Sequence, residues 1–233
     1  MKILSLDSSA TVATVALFED GRLLAEFTLN NGNTHSETLL PMIESLLSFF
    51  SMSADDVDLF AVSTGPGSFT GVRIGTATVK GLAFAKGKPC VGVSTLEAIA
   101  YNLRFHKGIV CPVMNARRSQ VYTAIFRSDG EKLERLTEDL AISISELDTM
   151  LAEYSEEIVL AGDGYDICEK GFATTSVRSV PERLRHQSAF SVAEAALDAY
   201  KSGKHCSDAE LGVEYLRPSQ AERERAEREA ANK

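Results

Sequence analysis

Four kinds of residue in this sequence could do chemistry: the run Asp7-Ser8-Ser9-Ala10-Thr11, the glycine-rich stretch STGPGSFTGVRIG at 63–75, four histidines and four cysteines. An acid with hydroxyls at a strand end can gather a phosphate or its metal, and bare glycine backbone can do the same with N–H groups. A P-loop needs G-x-x-x-x-G-K-[ST], whose lysine reaches the terminal phosphates. Counted from Gly65 or Gly67, the sixth position is Thr70 or Val72, and no Gly-Lys pair follows. A dinucleotide fingerprint needs G-x-G-x-x-G and an acid about 20 residues on. Here the third glycine arrives one position late, at Gly71, and no Asp or Glu lies between Asp58 and Glu97. Neither nucleotide signature is met.

The histidines (His35, His106, His186, His205) have no ligand-like spacing and form no H-E-x-x-H set, so a metallopeptidase is set aside. Cys90, Cys111, Cys168 and Cys206 contain no C-x-x-C pair; they predict reduced, mostly buried thiols of a cytoplasmic protein. The formal charge of -9 opposes unaided binding to a phosphate backbone. No apolar stretch reaches the roughly 18 residues of a membrane span.

The elements that must position these residues are α/β in character. KILSLD predicts a strand ending on Asp7, and TVATVALF and RLLAEFTL flank the turn signal EDG as a hairpin. HSETLLPMIESLLSFF predicts a helix with Leu39, Ile43, Leu46 and Phe50 on one stripe and Pro41 in or bending its first turn. VDLFAVS reads as a buried strand, FTGVRIGTATVKGLAFAKG as a second helix and PCVGVS as another strand. VATVALFEDG (12–21) and VYTAIFRSDG (121–130) share a pattern and follow similar polar turns, which predicts a duplicated lobe. After that hairpin the repeat fades. The boundaries expected are a first lobe over 1–105, a reduced second lobe over 106–218 whose last helix packs back on the first, and a charged tail over 219–233.

Gly71 and Gly75 stand four apart on one helical face, where a missing side chain admits another backbone. A helix-interior glycine costs about 1 kcal/mol against alanine, so close packing is the expected return. Eight of the twelve residues from Leu39 to Phe50 are apolar, more than one core-facing stripe requires. A surplus of that kind marks a protein partner. The expectation is a helix–helix interface with another chain.

LSLDSSATVATVAL, HSETLLPMI, STGPGSFTGVRIG, GVSTLEAIA, NARRSQVY and YLRP occur in the order seen in the TsaB (YeaZ) family, which this chain resembles over most of its length. The resemblance implies an actin-like ATPase (ribonuclease H-like) fold, two lobes each with a mixed βββαβα-type sheet. It implies a non-catalytic subunit that activates TsaD for threonylcarbamoylation of adenosine 37 in tRNAs reading ANN codons. TsaE would join them, the isolated chain would form a homodimer, and tRNA would be met only through the complex. Together with the helix pattern, it puts His35, Leu39, Met42, Ile43, Leu46, Phe69, Gly71, Val72, Arg73, Gly75, Thr76 and Val79 at the partner contact. TsaD is similar over its first lobe but has H-x-x-x-H where this chain has Thr95 and Ile99, and these cannot replace imidazole ligands. No cofactor is required, although ATP or ADP could sit at the partner interface. In the actin-like fold the turn after the first strand holds phosphate. Asp7, Ser8, Ser9 and Thr11 could act so, or could simply satisfy turn backbone. Asn115, where the family often has aspartate, weakens a complete ATP–metal site. The alternative is a small actin-like ATP-dependent phosphotransferase using Asp7.

Overall fold

The computed structural model describes residues 1–217 apart from Asn33, Ala85 and Ser179; the tail expected over 219–233 lies outside the described residues. Strands β1 (Lys2–Asp7), β2 (Ala13–Glu19) and β3 (Arg22–Leu29) form an antiparallel meander. Asp20 and Gly21 turn the β2–β3 hairpin with φ of 49° and 86°, the left-handed geometry that Asp-Gly favours. β4 (Leu59–Gly65) adds parallel to β1 and β5 (Cys90–Ser94) parallel to β4, giving the order β3-β2-β1-β4-β5.

Helices cover both faces of this sheet, so its central strands are apolar almost throughout. Leu4 and Leu6 of β1 share a core with α1 (His35–Ser48) and α2 (Phe69–Phe84). Ile3 points the other way, into a core with α3 (Thr95–Tyr101) and α6 (Ala189–Lys201). α6 therefore returns from the end of the chain to the first sheet. Ser5 Oγ donates to the Ala189 carbonyl at 2.6 Å. The Glu26 carboxylate accepts from Ser188 Oγ (2.8 Å) and Phe190 N (3.0 Å), placing negative charge on the positive end of α6.

The second sheet is built around β6 (Lys107–Arg117). β7 (Gln120–Thr123) and β8 (Phe126–Asp129) are two halves of one run, both antiparallel to β6; β9 (Leu133–Arg135) pairs β8 and β10 (Leu140–Ser143) pairs β7. After α4 (Ile144–Leu151), β11 (Ile158–Ala161) lies parallel to β6, and α5 (Tyr165–Gly171) follows. A meander, a helix, a parallel strand and a helix repeat the first lobe without a counterpart of β5: a doubled α/β architecture with a reduced second copy. The repeat does not fade after its hairpin as the sequence suggested. Its third strand is broken into pieces of three and four residues, too short to show a period.

Two local expectations are corrected. Of the two readings of Pro41, the first turn is the one set aside: Pro41 stands in the interior of α1, and α1 ends at Ser48. Phe50 is therefore off the helix and 38% exposed, and Leu47 joins Leu39, Ile43 and Leu46 on the buried stripe. Among the described residues no helix is long and apolar enough to cross a membrane.

Candidate functional site

The glycine-rich loop closes over the β1–β2 turn. A side-chain carbon on Gly71 would overlap the Ser8 carbonyl oxygen, and one on Gly67 the Ser9 carbonyl oxygen. Ser68 N donates to Ser9 O at 2.6 Å, and Ser8 Oγ donates to Gly71 O at 2.9 Å. The bare backbone at Gly67 and Gly71 thus packs on the chain's own first turn, and that at Gly65 on the Glu214 carbonyl. Gly75 continues the fit: a side-chain carbon there would stand 2.6 Å from Ser8 Oγ and 3.1 Å from a Leu6 methyl.

The polar groups of the turn face inward. Asp7, Ser8 and Ser9 are buried. The Asp7 carboxylate accepts from Ser9 N (2.8 Å), Ser9 Oγ (2.7 Å) and Ser63 Oγ. Burial pushes its carboxyl above the usual carboxylate range, against the pull of those hydrogen bonds. Of the four residues read as phosphate ligands, only Thr11 is exposed. In the second lobe's turn, Asn115 Oδ1 accepts from Arg117 N at 2.8 Å, while Arg117, Arg118 and Ser119 have φ of 63°, 54° and 57°. Arg117 and Arg118 are exposed.

A strap from the end of the described chain crosses the start of α2. Leu211 is buried in the core beneath α2, and Lys80 Nζ donates to the Leu211 carbonyl at 2.8 Å. Glu214 N donates to Thr64 O at 2.9 Å. Tyr215 stacks on Phe69 with centroids 4.1 Å apart, and Arg73 Nε donates to Tyr215 Oη at 2.6 Å with its guanidinium 4.6 Å from the Phe69 ring. The two cations of α2 that stand seven apart, Arg73 and Lys80, are therefore strap anchors, and Glu214 and Tyr215 of the EYLR segment are held on β4 and α2.

This geometry can be set beside known proteins. A family model described as "TsaD: tRNA N6-adenosine threonylcarbamoyltransferase" matches residues 22–221. The "tRNA threonylcarbamoyladenosine biosynthesis protein TsaB" of Bacillus subtilis (strain 168) is 34% identical over 162 residues, 70% of this chain and 71% of that protein. The chain belongs to the TsaB (YeaZ) family. The TsaB of Escherichia coli (strain K12) is 34% identical over 168 residues, 71% of this chain and 72% of its own length. The solved structure of YeaZ from Pseudomonas aeruginosa superposes with a TM-score of 0.82 at 25% identity, covering 92% of this chain and 99% of that one. A threonylcarbamoyltransferase from Solidesulfovibrio magneticus, 29% identical, is matched over only 43% of its length. The TsaB relatives are named for tRNA threonylcarbamoyladenosine biosynthesis.

In this TsaB-family chain the two positions set against TsaD's H-x-x-x-H on the strength of the resemblance are packed inside the fold. Thr95 and Ile99 are fully buried. Ile99 lies in an apolar cluster with Leu96, Val110, Met114 and Val180, against which Ala10 of the first turn packs. A buried hydroxyl and an alkyl group packed in that cluster do not make a metal-binding pair. Among the described residues no group of three His, Cys, Asp or Glu side chains could hold one.

The contact residues expected from sequence divide sharply. Leu39, Ile43, Leu46, Val72 and Val79 are each at most 1% exposed, and Gly71, Gly75 and Thr76 are buried as well. In the single chain these eight face inward, because the sheet and the first turn cover that side of the two helices. Met42 and Phe69 are half-buried, Arg73 is exposed but engaged by Tyr215, and His35 Nε2 lies 2.7 Å from the Ala10 carbonyl. The outward stripe is different: Leu40 on α1, with Ala77, Gly81 and Phe84 on α2 beside half-buried Ile74, and, just past α1, Phe49, whose ring meets Phe27 edge-on. Leu40 is 46% exposed, Phe49 77% and Phe84 76%. These residues do not stand out in the sequence because both faces of α2 are apolar or small. The signal was there as the period i, i+3, i+7, i+10 from Ile74 to Phe84.

Proposed function

We propose that this chain is the accessory, non-catalytic subunit that binds and activates TsaD for threonylcarbamoylation of adenosine 37 in tRNAs reading ANN codons. One observation carries the non-catalytic part: the Asp7 carboxylate and the Ser8 and Ser9 hydroxyls are consumed inside the fold and capped by Gly67 and Gly71. Family membership carries the pathway, and the outward stripe of α1 and α2 supplies the docking face. That stripe is apolar around the small residues Ala77 and Gly81, so a partner helix can approach closely. The same face accounts for a homodimer of the isolated chain, exchanged for TsaD in the working complex. TsaE then binds that complex, tRNA is met through it in the cytoplasm, and ATP or ADP, where present, sits at the partner junction.

The test is reconstitution with TsaD, TsaE and the enzyme that makes the threonylcarbamoyl donor, reading modified adenosine in tRNA. Ala77→Glu should abolish co-purification with TsaD and the activation while leaving the circular-dichroism spectrum unchanged. Full activation by a folded Ala77→Glu chain would reject the interface. Magnesium-dependent ATP turnover by the isolated chain, lost in Asp7→Ala, would instead establish the phosphotransferase alternative.

A further inference from the structure

Cys90 and Cys206 are 116 residues apart in sequence yet face each other as one antiparallel pair. Each backbone N–H donates to the other's carbonyl, both at 2.9 Å. A pair of that kind holds its Cα atoms about 5.5 Å apart, inside the roughly 4.4–6.8 Å window that a disulfide spans. Both side chains lie on the α2 side of the sheet: Cys90 is part of that core and Cys206 packs against it. Cys206 Sγ is 3.6 Å from the Cys90 carbonyl oxygen. Access is unequal. Cys90 is fully buried, whereas Cys206 is partly exposed and lines an open cavity of about 360 Å³ with Lys88, Pro89 and Asp208.

We propose that Cys90 and Cys206 form an oxidisable thiol pair whose disulfide staples the C-terminal strap to β5. Cys206 is the thiol that meets the oxidant. With hydrogen peroxide its sulfur takes one oxygen, giving the sulfenic acid and one water. The Cys90 sulfur then displaces the hydroxyl group, so that the S–S bond forms and a second water leaves. Two thiols are oxidised and one peroxide is reduced. Burial holds the Cys90 thiol at about 11 and raises that of Cys206, so both are protonated at neutral pH and the reaction quickens as pH rises. The consequence is local. Residues 207–217 leave β5 directly from Cys206 and carry Leu211, Glu214 and Tyr215 onto α2, so a covalent bond at Cys206 fixes the root of the strap.

The test is titration of the full chain with hydrogen peroxide, followed by denaturation, alkylation and peptide mapping without reductant. The four thiols of the sequence should fall to two, with one linked peptide containing Cys90 and Cys206. Cys206→Ser should abolish that peptide, while Cys111→Ser and Cys168→Ser should keep it. Amide exchange across 207–217 should slow in the oxidised protein and recover on reduction. Conversion of Cys206 to sulfinic acid with Cys90 still alkylatable, or retention of all four thiols, would overturn the proposal. So would a linked peptide that leaves exchange of the strap unchanged.

Discussion

The carbonyl oxygen of Ser8 fills the space that a side chain on Gly71 would need. The first turn and the start of α2 are therefore built against each other, and Gly67, Gly71 and Gly75 make that contact possible, while Gly65 admits the Glu214 carbonyl of the strap.

Alanine at Gly71 must move backbone, since the obstacle is a main-chain oxygen rather than a flexible side chain. Gly71→Ala should lower stability by about 1–3 kcal/mol or more, the usual cost of overpacking. Gly81 sits in the same helix with nothing within 4 Å of its missing side chain, and Gly81→Ala should raise stability by about 1 kcal/mol. Urea unfolding of the two variants checks both signs. Equal effects would mean that helix propensity alone governs this segment.

Leu39 and Leu40 are neighbours in sequence on opposite sides of α1. Leu39 is 1% exposed and Leu40 46%. Leu39→Ala should cost about 2–5 kcal/mol, and Leu40→Ala about 0.5 kcal/mol or less. Affinity for TsaD, measured by calorimetry on the folded variants, should show the reverse order.

Asp148 gives the second lobe an acid-sensitive joint. Burial pushes its carboxyl up, but hydrogen bonds from Thr175, Ala173 and Thr174 outweigh that and hold it well below the usual 3.8. A carboxyl lowered in the folded state contributes stability that is complete above its unfolded pKa. That contribution drains away as pH falls from about 4 towards the folded value. Asp7 has the opposite sign: its raised folded pKa makes its contribution complete below about 4 and lost as pH rises. Unfolding curves from pH 3 to pH 7 should show Asp148→Asn flattening the acid-side loss, and Asp7→Asn removing a decline towards neutral pH. No change in either slope would count against both assignments.

The strap is fastened by Arg73 through a ring contact and a hydrogen bond to Tyr215. A double-mutant cycle of Arg73→Ala and Tyr215→Phe should return a coupling of about 0.5–1 kcal/mol, as for exposed cation–π pairs and hydrogen bonds. Limited proteolysis near residues 212–217 should quicken in Arg73→Ala and in Lys80→Ala. Unaltered cleavage would show that Leu211 and Glu214 alone hold the segment.

What was legible before folding was the order of elements and the duplication, because both are written in local signals: apolar runs, Asp-Gly turns and helical periods. The failure of 63–75 to match a phosphate signature was legible too, since that rests on residue identity at fixed spacing. The broken third strand of the second lobe was not, because runs of three and four residues carry no period. Tertiary structure decided which face of α2 is buried. Gly71 and Gly75 on one side and Ala77 and Gly81 on the other are all small, and only the Ser8 carbonyl against Gly71 and the Ser8 hydroxyl against Gly75 tell them apart. It also decided that Arg73 and Lys80 hold the strap and that Cys90 meets Cys206. Each of these joins residues more than a hundred positions apart, a distance over which composition and periodicity say nothing and only the packed chain does.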